Sequence, residues 1–156
     1  MRVVSQEGVK SFVGGFPAGT VVSHCNIEEV TVGQVVGVYD TRRVLFRQCK
    51  VSKIHKRPVQ VLLKVLFSSG SSLFCTPDQA IITGVGWRKV GSLMPHDFIL
   101  NVFPNATRYV QVVGIQYLGE SKTKKYCPGG VTYQLELENS ATYLVGEGYV
   151  VRACQP

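Results

Sequence analysis

The chain has 156 residues, enough for one ordinary hydrophobic core, and its 45% hydrophobic content against 17% charged residues excludes a disordered chain. Its formal charge of +7 permits attraction to nucleic acid or anionic lipid, but the basic residues (Arg42-Arg43, Lys50, Lys53, Lys56-Arg57, Lys122, Lys124-Lys125) fall in separate turn-like segments, the pattern of a solvated surface. No window reaches the roughly 18 apolar residues of a spanning helix, and Met1 to Gly14 lacks the apolar stretch of a secretory signal, so a soluble monomer without membrane or nucleic-acid partners is expected.

Sixteen glycines, seven prolines and many β-branched residues predict an all-β chain of short strands. Val3 to Val13 form a modestly apolar leader ending at Gly14-Gly15, read as a flank of the domain. Phe16 to Val22 open the domain with a bend at Pro17 and Gly19, and Ile27 to Val38 continue the β pattern, punctuated by Gly33 and Gly37. Three further strands are predicted at Val44 to Phe46, Val51 to Ile54 and Val59 to Phe67, followed by a hairpin turn at Ser68 to Ser71. Leu73 to Cys75 then run into Thr76-Pro77-Asp78-Gln79, where proline fixes φ and Thr76 and Asp78 offer short polar side chains. Ile81-Ile82, a glycine turn ending on Trp87, and Val90 to Ile99 come next. After them stand Tyr109 to Tyr117, a lysine-rich loop from Gly119 to Gly130, the alternating strand Val131 to Glu138, and a final pair at Tyr143 to Val145 and Tyr149 to Val151.

Two halves of the chain overlay. Ser72 to Ile82 and Ala141 to Val151 share length and apolar pattern at an offset of 69, each a strand, a four-residue corner and a strand. Upstream, Val30 to Val36 matches Leu93 to Ile99, and Val59 to Leu62 matches Val131 to Gln134. The lysine loop absorbs the drift in offset. The order of the matches predicts a pseudo-two-fold domain that brings its two ends together near Thr76.

Individual residues read more plainly. Five cysteines without a C-x-x-C pair exclude a disulfide framework and a structural zinc site, and no metal or cofactor is expected. Cys49 and Cys75 read as small core residues and Trp87 as a packing anchor. His24, Cys25 and His55 lack metal-ligand spacing, His96 reads as solvated, and Asn105-Ala106-Thr107 meets the glycosylation spacing only as such triplets often do by chance.

Five segments in order carry a resemblance: Gly15-Phe16-Pro17-Ala18-Gly19-Thr20; Val30 to Val36; Cys75 to Gln79; Gly86-Trp87 through Asp97; and Tyr133 to Leu137 with Val150-Val151 before Cys154. Together they resemble the Hint superfamily of inteins, bacterial intein-like domains and hedgehog autoprocessing domains. The resemblance implies a horseshoe-like β fold that cuts or splices its own backbone in single turnovers without a cofactor, acting on its flanking segments. It places an upstream flank at 1–14, the domain at 15–153 and a downstream flank at 154–156.

The same resemblance assigns positions. Gly15 stands where the first nucleophile is usual, Ala153 where the cyclising Asn is, Arg152 where the penultimate His is, Gln79 where the corner His is, and Gln134 where an Asp is often found. Thr76 and Asp78 remain at the corner, and Cys154 matches the downstream nucleophile, a thiol able to receive the upstream acyl group. The implied state is an inactive precursor that does not splice. An inactivated precursor and a naturally degenerate domain with a structural role both fit these absences. A basic small β-barrel binding RNA or protein is the competing class, although Tyr133, Tyr143 and Tyr149 lie in apolar strands rather than on a basic face. A hedgehog-type ester-forming domain would lack its first cysteine and its sterol-recognition segment.

Overall fold

The computed structural model describes residues 14–59, 61–103 and 106–154. The leader at 1–13, Gln60 of one repeat match, Asn105 of the glycosylation triplet and Gln155-Pro156 lie outside the described residues. The strands are β1 (Phe16–Pro17), β2 (Val21–Val22), β3 (Cys25–Asn26), β4 (Val35–Asp40), β5 (Leu45–Pro58), β6 (Leu62–Phe67), β7 (Ser72–Cys75), β8 (Ala80–Thr83), β9 (Gly86–Lys89), β10 (Phe98–Phe103), β11 (Ala106–Leu118), β12 (Val131–Leu137), β13 (Thr142–Val145) and β14 (Tyr149–Arg152). One helix, α1 (Glu120–Tyr126), and two 3-10 turns (Ile27–Glu29 and Val90–Ser92) complete the described elements.

One sheet runs β1-β12-β5-β4, a larger one β13-β14-β8-β10-β11-β6-β7 with β9 on β8, and β2-β3 form a separate hairpin. The predicted internal repeat is visible strand by strand. Hairpin β2-β3, a 3-10 turn, β4, the long β5, then β6 and β7 correspond in order to hairpin β8-β9, a 3-10 turn, β10, the long β11, then β12 and β13. The halves exchange strands: β12 of the second pairs with β5 of the first, and β6 of the first with β11 of the second. That exchange lets one buried cluster draw on both halves, from Phe16, Val22 and Ile27 to Leu135, Tyr143 and Val151. Phe67 stacks on Tyr149 across the halves, ring centroids 4.2 Å apart.

Several expected elements change. Ile27 does not lie in a strand: Ile27–Glu29 is a 3-10 turn in which the Glu29 carboxylate reaches back to the Asn26 amide, and β4 begins only at Val35. The strands expected at Val44 to Phe46 and Val51 to Ile54 are one 14-residue strand, β5, starting at Leu45. Its first half pairs with β4 and its second with β12, so Gln48 and Lys50 stand on an exposed face without breaking it. The lysine-rich segment holds α1 rather than a plain loop. The Glu120–Lys124 pair one turn apart marks its surface, and Thr123 is buried with its hydroxyl donating to the Leu118 carbonyl. Inserted between β11 and β12, this helix accounts for the drift in repeat offset.

Gly148, in the β13–β14 corner, has φ +106, and a Cβ there would lie 2.1 Å from the Val102 carbonyl oxygen. Gly130, at φ +69, opens onto free space. Gly148→Ala is expected to lower the unfolding free energy by more than about 2 kcal/mol and Gly130→Ala by about 1 kcal/mol or less, read from urea unfolding of the two variants.

Candidate active site

The site forms where the corner between β7 and β8 meets the β5–β12 ribbon. The Gln79 amide bonds the Thr76 carbonyl at 3.2 Å, closing the corner that Pro77 bends. Its first residue is lashed to the early part of the chain, the Thr76 amide donating to the Gly15 carbonyl at 3.0 Å. Its last is lashed to the end of β14, Gln79 Nε2 donating to the Arg152 carbonyl at 3.1 Å. Beyond it, the Cys154 amide bonds the Leu135 carbonyl of β12 at 2.8 Å. The backbone at Gly15 and at Arg152 is therefore held by the same corner, as the repeat predicts.

The ribbon supplies the remaining side chains. Residues directly opposite in an antiparallel pair share a face, so Thr132, Gln134 and Glu136 of β12 lie alongside Arg57, His55 and Lys53 of β5. Gly14 meets Arg57 of this row, and Cys154 meets His55 and Glu136. At the upstream end Arg57 Nη2 donates to both Asp78 carboxylate oxygens, at 3.2 and 3.1 Å, and to the Gly14 carbonyl at 3.4 Å. The Thr76 hydroxyl donates to Asp78 Oδ1 at 2.7 Å. Burial alone would raise the Asp78 carboxyl, but the bonds from Thr76 and Arg57, the Arg57 charge and the Gly14 amide hold it below its ordinary 3.8. An open groove of about 570 Å³, lined by Arg57, Pro58, Val59, Val61, Thr76, Pro77 and Asp78, adjoins this carbonyl.

At the downstream end a ring nitrogen of His55, a carboxylate oxygen of Glu136 and Cys154 Sγ all lie within 4.8 Å of one another. His55 Nε2 and Glu136 Oε1 are bonded at 3.0 Å. Cys154 is 3% exposed; burial first, then the Glu136 charge, push its thiol up, against a smaller downward pull from Lys53. Nitrogen, oxygen and sulfur donors of this kind also suit a transition metal. His55 and Glu136 bond each other, and Lys53 adds positive charge beside the thiol.

Between the two ends sits an amide network. The Tyr143 hydroxyl and the Leu135 amide donate to Gln134 Oε1, Gln134 Nε2 donates to Gln79 Oε1 at 2.8 Å, and Gln79 Nε2 also donates to the Ala80 carbonyl at 2.9 Å. Gln79 and Gln134 are both 0% exposed. Among the described residues no buried side-chain nitrogen or oxygen lacks a partner. These amides cannot titrate, so the network holds geometry and moves no protons.

No protein-family profile matches the chain, and no curated protein sequence does. Solved structures do. The Ssp DnaB mini-intein variant M86 superposes with a TM-score of 0.77 at 12% identity, over 92% of this chain and 95% of that one. A DnaB intein from Synechocystis sp. PCC 6803 gives 0.76 at 13%, over 90% and 98%. The bacterial intein-like domain from Clostridium thermocellum gives 0.75 at 20%, over 88% and 97%. The chain has the Hint fold.

Within this Hint fold Thr76 bonds Gly15 and Asp78, and Gln79 bonds Gln134 and the Arg152 carbonyl, while Ala153 is buried and Cys154 lies further along the ribbon beside His55 and Glu136. Arg152 is the exception. Its carbonyl belongs to the site, but its guanidinium lies over the Trp87 ring, 4.8 Å from the centroid, as a packing and cation–π contact. Arg57, His55 and Glu136 are missed by the sequence reading. The alternation of Arg57, His55 and Lys53 at every second position was the available signal, and only the pairing partner of β5 gives it meaning. Tyr143 and Tyr149 are buried and present no face to a nucleic-acid base. No helix among the described residues is long and apolar enough to cross a membrane.

Because the Asp78 carboxyl lies lower in the folded chain than in the unfolded one, its contribution to stability is present above the ordinary aspartate range and lost as pH falls through the folded value. Asp78→Asn is expected to lower the melting temperature at pH 7. The gap to wild type should shrink as pH falls below about 4, read by melts at successively lower pH.

Proposed function

We propose that this Hint-fold chain acts on its own flanking polypeptide, at 1–14 and 154–156, and that its remaining chemistry is transfer of the Gly14 acyl group to Cys154 rather than splicing. The observation that carries the reading is the placement of the two ends: the Gly14 carbonyl accepts from Arg57 while the Cys154 thiol lies further along the same β5–β12 face. The resemblance to splicing domains supplies the reaction class. In the step, Cys154 Sγ bonds the Gly14 carbonyl carbon, the Gly14–Gly15 C–N bond breaks, and the thiol proton ends on the Gly15 amine. Arg57 is the donor placed to stabilise charge on the carbonyl oxygen. Cys154 lies beside His55 and Glu136, further along the ribbon than Arg57, so the transfer requires the two ends to close to attack distance.

The chain then stalls. Ala153 has no side-chain amide to cyclise, so the bond to Cys154 stays intact and the product is a branched thioester. Hydroxylamine treatment at neutral pH is expected to release residues 1–14 as a hydroxamate, seen by mass spectrometry and absent from Cys154→Ala. No such species from the wild-type chain would defeat the reading.

One specific observation favours a second reading, a Hint domain kept as a scaffold. A Cβ at Gly15, where φ is +150, would fall 3.0 Å from the Thr132 hydroxyl oxygen, so Thr132 fills the space a residue-15 side chain would need. Gly15→Cys with Ala153→Asn is therefore expected to splice poorly. Adding Thr132→Ala should raise the yield of a peptide joining Met1–Gly14 to Cys154–Pro156 several-fold, and equal yields with and without it would show that Thr132 is no obstacle.

A further inference from the structure

Resting on the acyl-transfer reading, we propose that His55, held by Glu136, is the proton acceptor for the Cys154 thiol. The sites where the Hint resemblance puts acid–base groups hold Gln79, Gln134 and Arg152. Two are amides and the third is a guanidinium stacked on Trp87, so none of them exchanges a proton near neutral pH. A buried thiol nonetheless has to lose its proton to attack a carbonyl. Burial and the Glu136 charge keep Cys154 in the thiol form, so it needs a base at the moment of attack rather than a preformed thiolate.

The groups facing the thiol can be taken in turn. From β5 come Lys53, a cation, and His55; from β12, Glu136; and from β13, Tyr143, with Cys75 of β7 beside that tyrosine. Burial pushes both Tyr143 and Cys75 upward, so both stay protonated and neither accepts. Asp78 stands at the other junction, where Arg57 and Thr76 occupy its oxygens. His55 is the imidazole within reach, and imidazole is the side chain whose basicity suits proton transfer near neutrality. The Glu136 carboxylate, bonded to Nε2, fixes the ring and stabilises the imidazolium once it forms. The transfer balances: the thiol proton moves to the imidazole as the S–C bond forms, then passes to the Gly15 nitrogen as the C–N bond breaks. His55, mid-strand on β5, lies outside every segment that carries the Hint resemblance, and Glu136, two residues past Gln134, lies inside one but is given no role by it.

The test has two arms on the full chain. In the first, His ring carbons and Cys Cβ are labelled with carbon-13 and titrated by NMR. His55 and Cys154 are expected to report the same two coupled steps, with Cys154→Ser removing one step from His55 and His55→Gln removing one from Cys154. Independent titration of the two groups in the wild-type chain would overturn the proposal. In the second, the rate of hydroxylamine-sensitive thioester formation is followed from pH 5 to 9. His55→Gln is expected to slow it about 100-fold at pH 7 and to erase the inflection near neutrality. Glu136→Gln, a milder change that leaves the imidazole in place, should shift the inflection to lower pH; an unmoved inflection would overturn the role given to Glu136. Coupled titration without any thioester would uphold the proton path and sink the acyl-transfer reading. Thioester formation at an unchanged rate in His55→Gln would do the opposite.

Discussion

The structure depends on the antiparallel contact between β5 and β12, the point where the two halves of the repeat trade strands. Each strand satisfies the other's backbone groups from Val51–Leu137 to Pro58–Val131. Because strand side chains alternate, the same register puts three residues of each strand on one face in fixed order. A slip of one residue would turn Gln134 and Glu136 away from the corner and point Tyr133 and Leu135 at it. Backbone pairing therefore sets the site before any side chain takes part. The chain ends are tied to that frame, β1 along one edge of β12 through Phe16–Tyr133 and Cys154 through the Leu135 carbonyl.

The use of amides at the buried centre of the site has an energetic logic. A buried carboxylate or imidazolium pays a desolvation penalty that only a well-placed partner offsets, whereas an amide can donate and accept at once. Gln134 and Gln79 use that property to link the Tyr143 hydroxyl, through two side chains, to the carbonyls of Ala80 and Arg152. Each bond nets only about 1 kcal/mol, but losing one member would strand buried partners at about 1–3 kcal/mol apiece. The centre of the site is thus stiff and insensitive to pH, and titratable groups are confined to its two ends.

Much of this was legible in the sequence. The all-β class, the repeat, the Thr76–Gln79 corner and the meeting of the chain ends there follow from apolar alternation and ordered motifs. The fused β5 was not, because a charged residue in a strand reads as a break until its exposed face is known. Helix α1 was hidden by its lysines, which suggest a loop when counted and a helix surface only when spaced. Arg57, His55 and Glu136 escaped for a deeper reason. They act through the register of two strands some 80 positions apart in the chain, as the His55–Glu136 bond spans 81, and nothing local to either strand specifies that register.

The two ends of the ribbon solve opposite electrostatic problems with the same parts. At Gly14 the cation is nearest: Arg57 touches the carbonyl and Asp78 stands behind it, a polarity that in the proposed transfer favours negative charge growing on oxygen. At Cys154 imidazole and carboxylate both lie near the sulfur, a polarity that in the same proposal favours positive charge on the ring as the thiol gives up its proton. Had both ends carried the arginine, the thiol would have a charge partner but no acceptor. Had both carried the histidine, the carbonyl would lose a donor that stays charged at every working pH. Under the proposed transfer, the order Arg57, His55 along β5 sorts electrophile from nucleophile, the two residues standing one strand step, about 7 Å, apart.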